Sequence, residues 1–252
     1  MAAFLYSLEH DLSPTLLVIA GVMFLAWTAA YLQIVRQCRR DQTYGIPLVV
    51  IFFNIAWEFI FSFQLVAPGV PVLVWGNRLW FFADVIIVSQ VLMYGRNAQT
   101  HPWVKQHFHL ICGVGILLCG LALFFFSKYT GDVYGLASSF MINFAMSVLF
   151  INLLFSRPDL RGLPAGAGWM KMIGTAAGAV FCYLWWPTQF DANGVLIRPP
   201  YVMRATDFRF LYFMFLTIPV IDCLYIYLYH QQRKALAAKS AGPAKAGLVE
   251  SA

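Results

Sequence analysis

The chain has 252 residues, of which 61% are hydrophobic and 11% are charged, and its mean hydropathy is +0.70. An average soluble domain has about 25% charged residues, so this composition excludes an ordinary soluble fold and indicates an integral membrane protein. The net charge of +6 is not gathered on one basic face, which argues against nucleic-acid binding.

Seven segments are apolar and long enough, at about 20 residues, to cross a bilayer as helices. In chain order they are residues 14–35, 46–66, 75–94, 108–126, 135–155, 170–186 and 208–229. We therefore predict an all-α membrane protein, a bundle of seven transmembrane helices formed by residues 1–232. Residues 233–252 are rich in Ala, Lys and Gly, which predicts a disordered tail.

The basic residues predict the orientation of the bundle. Residues 1–13 contain no Lys or Arg, so the first segment should stay in the membrane instead of being cleaved as a secretory signal. Most basic residues fall on one side, and the other side has only Arg78, Lys128, Arg198, Arg204 and Arg209. The positive-inside rule then places the N-terminus outside or in a lumen and the C-terminus in the cytosol. The host membrane could be a bacterial plasma membrane or the endoplasmic reticulum.

A small set of polar groups lies deep within these segments. Glu58 in the second segment lies about 18 Å from the cytosolic end at 1.5 Å per residue, slightly beyond the middle of the bilayer. The same count places Asp84, Asn143 and Asp222 at a comparable depth, and Asn54 shares a helix face with Glu58. These residues are predicted to form one polar layer.

Each of these polar groups has a structural alternative. A lone Asn in a transmembrane helix usually serves helix packing, which applies to Asn54 and Asn143. Asp84 could form an ion pair with Arg78 or belong to a site. Glu58 and Asp222 have no basic partner visible at their depth, so burial should favour the neutral acid, and a neutral carboxylic acid in an apolar cavity is a proton donor.

Aromatic residues make up 17% of the chain and are frequent within the predicted spans. Most should be core, lipid-facing or interfacial, but those near the acids would line a cavity in which ring faces stabilise a cation by up to ~2 kcal/mol each. An acid within aromatic walls suits carbocation chemistry on a lipophilic polyene. The candidate aromatic wall residues are Trp57, Phe61, Trp80, Tyr183, Trp186, Phe215 and Tyr225.

Other cofactor-bearing membrane proteins fit the sequence poorly. A retinal Schiff base needs an amine in the middle of the membrane, whereas the last segment contains no Lys and Lys171 lies at the end of its segment. All five histidines lie at segment ends or in loops, which argues against a membrane haem. Four of the five cysteines lie within apolar spans and are expected to be small buried hydrophobic residues.

Two motifs and a set of later residues resemble a known family. The stretches Thr43-Tyr44-Gly45 and Asn54-Ile55-Ala56-Trp57-Glu58 resemble the integral-membrane terpene cyclases of fungal meroterpenoid and indole-diterpene biosynthesis, which have bacterial relatives. The resemblance continues at Trp186-Pro187 with Phe190, and at Asp222 with Tyr225. It covers essentially the whole chain. The residues around Asp222, Cys223 and Leu224, are bulkier than the family pattern suggests.

The resemblance implies a function and a catalytic pair. In that family the corresponding glutamate and aspartate are the essential acids, which implies catalytic roles for Glu58 and Asp222. The family protonates the terminal epoxide or alkene of a prenyl chain on an aromatic, indole or polyketide head and cyclises it. A prenyltransferase would supply such a substrate, together with an epoxidase where the substrate is the epoxide.

The sequence does not show which of Glu58 and Asp222 donates the proton and which assists, because coupled acids titrate as a pair. Neither an Asp-Asp-x-x-Asp run nor an Asp-x-Asp-Asp run is present. We therefore expect no Mg²⁺ and no other cofactor, because no diphosphate has to leave.

Two functions from other classes compete with a cyclase. A proton-coupled transporter of a lipophilic small molecule would also place acids at mid-membrane, but it predicts internal repeats, for which the first and last segments give no convincing match. A lipid-binding or scaffold protein would use Gly174 and Gly178 for helix packing and would leave the acids unexplained.

Overall fold

The computed structural model describes residues 12–66, 71–132, 134–185 and 208–241, and it confirms the all-α prediction. The eight α-helices are α1 (Pro14–Asp41), α2 (Leu48–Phe59), α3 (Pro71–Tyr94), α4 (Pro102–Gln106), α5 (Phe108–Thr130), α6 (Leu136–Phe155), α7 (Ala165–Trp185) and α8 (Phe208–Ala241). A π-helical turn, Ile60–Gln64, continues α2, and a 3₁₀ turn, Gly95–Ala98, follows α3.

Five of these helices are long and apolar enough to cross a membrane, namely α1, α3, α5, α6 and α8. Helix α2 with its π-helical continuation is shorter, and α7, which carries Lys171 in a Gly- and Ala-rich stretch, is not among the five. Helix α8 continues to Ala241, so residues 233–241 of the predicted tail are helical, and residues 242–252 lie outside the described part of the chain.

Local sequence signals explain where several helices begin and end. Ser13 precedes Pro14 and accepts a hydrogen bond from the backbone N–H of Leu16 at 3.3 Å, so it caps α1. Helix α5 ends at Thr130, and the C-cap residue Gly131 has φ = 69°, a conformation that glycine adopts without strain.

Six of the helices contact one another in the circular order α1, α3, α2, α6, α8 and α7, which returns to α1, while α5 packs on the outside of α2. The α1–α7 contact is the most extensive because small residues on α7 let the helices approach closely. A Cβ atom on Gly174 would lie 2.7 Å from the Trp27 ring, and one on Gly178 would lie 3.2 Å from the Met23 sulfur.

The Thr43-Tyr44-Gly45 motif lies where α1 turns into α2, and it packs against the α6–α7 connection. Arg157 stacks its guanidinium 4.4 Å from the centroid of the Tyr44 ring and donates to the Tyr44 carbonyl. A Cβ atom on Gly45 would lie 2.7 Å from the sulfur of Cys38. The motif thus connects the α1–α2 turn with the α6–α7 connection.

Candidate active site

A large cavity lies inside the ring of helices, towards the end of the bundle at which α1 begins. It has about 970 Å³ of empty space, which includes its open mouth. Glu58 is the only acidic or basic side chain among the described residues that line it. We call it the Glu58 cavity. Its remaining lining is mainly aromatic and uncharged polar, with Trp27, Tyr31, Asn54, Trp57, Trp80, Tyr134, Phe140, Asn143, Thr175, Phe181 and Trp185 prominent.

Glu58 lies on the inward face of α2, one turn after Asn54, and only 5% of its surface is exposed. Its Oε2 atom is buried and has no hydrogen-bond partner among the described residues. The π-helical turn begins two residues later, at Ile60, and such turns frequently occur next to functional sites. The Glu58 residue lines the cavity, and its carboxyl group keeps an oxygen without a partner in the described part of the chain, so the group can bond to a bound molecule.

Asn54 connects residues of three helices behind Glu58. Its side-chain N–H group donates to the Tyr31 hydroxyl on α1 at 2.7 Å and to Asp84 Oδ2 on α3 at 3.2 Å. Asp84 is fully buried and does not line the cavity. The Arg78–Asp84 ion pair, one of the alternatives for Asp84, is not formed between these two residues. Arg78 instead donates to the Ser62 carbonyl at 3.4 Å and lies over the Trp75 ring.

Asp222 has a basic partner, so the expectation that it has none is wrong. Lys171 Nζ lies 2.8 Å from Asp222 Oδ1 and 2.9 Å from Oδ2, and it donates to Ser147 Oγ at 2.7 Å. Lys171 is not at a solvated helix end, because its residue is only 6% exposed. An ammonium group has three donors, so these three contacts satisfy it.

The two acids also line different pockets. Asp222 and Lys171 line a second pocket, which we call the Asp222 pocket, whereas Glu58 lines the first. The empty space of the Asp222 pocket is about 560 Å³, which again includes its open side. Trp27 and Tyr31 line both. The predicted single polar layer is therefore divided into two sites with a shared wall.

Asn143 connects the walls of the two pockets. It lines the Glu58 cavity, and its Oδ1 accepts from the Thr175 hydroxyl at 3.4 Å. Its backbone carbonyl accepts from Ser147 at 3.0 Å, and Ser147 in turn contacts Lys171. Asn143 thus belongs to the cavity lining and to the polar chain that leads to Asp222.

Five of the seven predicted aromatic wall residues lie at the two pockets or directly behind their lining. Trp57 and Trp80 line the Glu58 cavity, and Tyr225 lines the Asp222 pocket. Phe61 and Phe215 lie behind lining residues: Phe61 packs 4.9 Å from Trp57 and Phe215 packs 4.6 Å from Phe140, centroid to centroid.

Tyr183 lies at neither pocket. It is 55% exposed, because the inward face of α7 carries Cys182 and Trp185 at that level and leaves Tyr183 outside. The remaining predicted residue, Trp186, lies outside the described part of the chain, as do Pro187 and Phe190.

Several residues at these pockets were not predicted from the sequence. The most important are Lys171 and Ser147, which hold Asp222, and Tyr31 and Trp27, which form the shared wall. The presence of one Lys and one Asp in neighbouring apolar segments is the signal that could have indicated the ion pair.

The first turn of α6 closes one side of the Glu58 cavity and is held by a buried acid. Asp132 is 2% exposed and accepts hydrogen bonds from the N–H groups of Ala137 and Ser138. Burial raises the pKa of Asp132, although the hydrogen bonds from Ser138 and Ala137 lower it.

Comparison with known proteins supports a membrane enzyme. Residues 8–235 match the family of Pyr4-like transmembrane terpene cyclases. The chain is 29% identical over 209 residues to the Pyr4-family terpene cyclase mfmH of Annulohypoxylon moriforme, covering 81% of each protein. It is 30% identical over 186 residues to the terpene cyclase macJ of Penicillium terrestre, covering 68% of each. No solved structure matches the chain.

These matches confirm the resemblance that the sequence motifs indicated, and they favour a cyclase over a transporter or a scaffold. The family match extends over almost the whole chain, from before α1 to within α8. The chain belongs to the Pyr4-like transmembrane terpene cyclases and is an integral membrane enzyme.

Proposed function

We propose that this cyclase protonates the terminal epoxide or alkene of a prenyl chain and that Glu58 is the proton donor. The substrate is a farnesyl-like chain attached to an aromatic, indole or polyketide head. The folded polyene then closes ring by ring onto the cation, and the reaction ends by loss of a proton or by capture of a nucleophile. The family assignment supports terpene cyclisation, and the substrate and the proton donor are our proposal.

The observation that carries the proposal is the position of Glu58 in its cavity. Glu58 is the only acid among the described lining residues, and its Oε2 atom has no partner there. Tryptophan and phenylalanine rings surround the same space, and ring faces stabilise cations most strongly where water is excluded. An acid that can deliver its proton therefore lies beside walls that suit the resulting carbocation.

The second acid has a different role in this proposal. Lys171 donates to both carboxylate oxygens of Asp222, so both oxygens already have a partner, whereas Glu58 Oε2 has none among the described residues. Asp222 and Lys171 instead join α8 to α7 and support the wall that the two pockets share. In this proposal Glu58 donates the proton and Asp222 supports the structure, a choice that the sequence leaves open.

The test of the function is a substrate panel. Membranes that contain the wild-type protein would be incubated with farnesylated phenols and indoles, each as the terminal epoxide and as the alkene, and the products identified by mass spectrometry and NMR. Runs in heavy water identify the protonation step, because protonation of an alkene carbon leaves a non-exchangeable C–D bond in the product. Protonation of an epoxide oxygen leaves only an exchangeable deuteron.

Two variants identify the donor. Glu58→Gln keeps the shape of the side chain but removes the proton, so we expect cyclisation to fall by about 10²- to 10⁴-fold. Tyr183→Phe is the matched control, since Tyr183 lies outside both pockets and its change should leave turnover unaltered. Full cyclisation by Glu58→Gln would exclude Glu58 as the donor, and a wild-type protein that cyclises none of the panel would exclude the proposed substrate class.

We also propose that the bundle crosses the membrane seven times with its N-terminus outside and that residues 1–232 form one domain. The ring of helices supports this, because α2 and α7 occupy positions between α1, α3, α6 and α8. Single cysteines introduced at Gln99 and at Tyr129 should react with a membrane-impermeant maleimide from opposite sides of sealed vesicles. Labelling of both positions from the same side would contradict this topology.

A further inference from the structure

Trp57 is held in the wall of the Glu58 cavity by hydrogen bonds from its indole group. It precedes Glu58 on α2 and lines the cavity. Its Nε1–H group points away to the first turn of α6, where it donates to Ser138 Oγ at 2.9 Å and to the Gly135 carbonyl at 3.2 Å. The side chain next to the proposed proton donor is therefore fixed from a different helix.

The Ser138 hydroxyl can accept from Trp57 because its own proton is directed elsewhere. A serine hydroxyl has one donor and two acceptor lone pairs. Ser138 Oγ lies 2.6 Å from Asp132 Oδ2, a short separation that is typical of a hydroxyl that donates to a carboxylate. The bonds therefore run in one direction, from the Trp57 indole to Ser138 and from Ser138 to Asp132.

Asp132 also fixes the backbone from which Ser138 projects. Its Oδ1 accepts from the N–H of Ala137 at 3.1 Å and its Oδ2 from the N–H of Ser138 at 2.9 Å. Both Asp132 and Ser138 are almost fully buried, at 2% and 1% exposure. One carboxylate thus holds both the first turn of α6 and the hydroxyl that the indole contacts.

The backbone of Gly135 also lies close to the edge of the indole ring that carries the N–H group. Gly135 has φ = 69°, which favours glycine, and a Cβ atom at this position would lie 2.6 Å from Cζ2 of Trp57 and 2.9 Å from the Phe61 ring. The neighbouring residues Tyr134 and Leu136 line the cavity. The turn that holds Trp57 is therefore itself part of the cavity wall.

We propose that Asp132 and Ser138 are positioning residues that fix the Trp57 ring beside the reacting chain and so determine how far cyclisation proceeds before the cation loses a proton. This inference rests on the proposed function, because it assumes a carbocation in the Glu58 cavity. A correctly placed ring stabilises the later cations and delays proton loss. When the indole loses its partners, the ring can rotate, and partly cyclised alkenes should accumulate.

The test measures product ratios in Ser138→Ala, Asp132→Asn and Trp57→Phe, with the amount of folded enzyme matched between samples. Trp57→Phe keeps an aromatic ring but removes the N–H group. We expect the ratio of fully to partly cyclised product to fall by about 3- to 30-fold in each variant. The matched control is Thr130→Val, because among the described residues the Thr130 hydroxyl bonds to the Phe126 carbonyl of its own helix, at 2.8 Å.

Non-additivity distinguishes positioning from a general structural role. In the Trp57→Phe background, Ser138→Ala should change the product ratio no further, because the bond that it breaks is already absent. Variants that lower the amount of folded enzyme but leave the product ratio unchanged would overturn the proposal, as would additive changes in ratio.

Thermal stability separates failure of this inference from failure of the proposed function. If the wild-type protein cyclises no member of the panel, the proposed substrate class fails. The thermal midpoints can still be measured in that case. If the shift in the double variant differs from the sum of the Ser138→Ala and Trp57→Phe shifts, the hydrogen bond between the two side chains is present. Strict additivity of the two midpoint shifts would overturn the positioning contact itself.

Discussion

Glu58 and Asp222, two of the three acids that the sequence places at mid-membrane, lie in opposite environments. Glu58 has a buried oxygen without a hydrogen-bond partner among the described residues and faces a large aromatic cavity. Asp222 is bonded through both oxygens to Lys171, which also contacts Ser147. A buried carboxyl oxygen without a partner costs folding free energy until a ligand bonds to it. A buried ion pair whose groups satisfy one another needs no ligand. This contrast is why we propose a chemical role for Glu58 and a supporting role for Asp222.

The largest expected effect comes from breaking the ion pair. Lys171→Met leaves the Asp222 carboxylate buried without its counter-ion, and Asp222→Leu leaves the Lys171 ammonium in the same position. Removal of one partner of a buried pair typically costs about 3–5 kcal/mol. Each single variant should therefore have a much lower thermal midpoint in detergent, measured by the loss of the monodisperse size-exclusion peak on heating.

The double variant Lys171→Met/Asp222→Leu decides what the pair is for. Two apolar side chains of similar volume should restore most of the stability, because neither charge is left alone. If Asp222 only supports the wall, this variant should also cyclise substrate, within about tenfold of wild type. A stable double variant without turnover would show that Asp222 takes part in the reaction and would remove the distinction between the two acids.

The next effect concerns the hydrogen bonds behind Glu58. Asn54→Leu removes the amide that donates to the Tyr31 hydroxyl and to Asp84, so each of these buried acceptors loses a bond. Each lost bond should cost about 1–3 kcal/mol. The thermal midpoint should fall, and the fall should be smaller in a Tyr31→Phe background, where one of the two acceptors no longer exists.

Equal losses from Asn54→Leu in the wild-type and Tyr31→Phe backgrounds would contradict this account. That result would mean that Asn54 acts by packing alone, which is the alternative that the sequence leaves open for it.

The sequence predicts the fold well because membrane insertion depends on length and hydrophobicity. The seven predicted segments each correspond to a helix, and Glu58 is recognisable because a lone acid in an apolar run is rare. Orientation around each helix axis is harder to predict, since a helix that contacts both lipid and protein is apolar on all sides. Tyr183 was for this reason expected in the cavity, although it faces outward.

The predicted polar layer is split into two pockets because of which helices are neighbours in the bundle. The order of the helices along the sequence does not reveal which of them are neighbours. Lys171 begins its apolar segment and was expected to lie at the membrane surface. Its side chain is instead buried between α6 and α8, where it meets Ser147 and Asp222. Only the ring order of the helices brings these three residues together.

The smallest expected effects test the wall that the two regions share. Trp27 lines both pockets and is packed against Gly174 on α7, so a Cβ atom at position 174 would lie 2.7 Å from its ring. Gly→Ala in a helix gains about 1 kcal/mol of backbone stability, whereas overpacking typically costs about 1–3 kcal/mol. Gly174→Ala should therefore be neutral to destabilising by about 2 kcal/mol, and it should alter the product ratio because Trp27 has to move.

Gly178 provides a matched comparison one turn along the same face of α7. A Cβ atom there would lie 3.2 Å from the Met23 sulfur, and the flexible methionine side chain can move aside. Gly178→Ala should thus keep most of the helical gain, raise the thermal midpoint slightly and leave the product ratio close to that of wild type. Since Met23 lines only the Glu58 cavity, whereas Trp27 lines both pockets, equal product ratios in the two alanine variants would show that the shared wall does not couple the pockets.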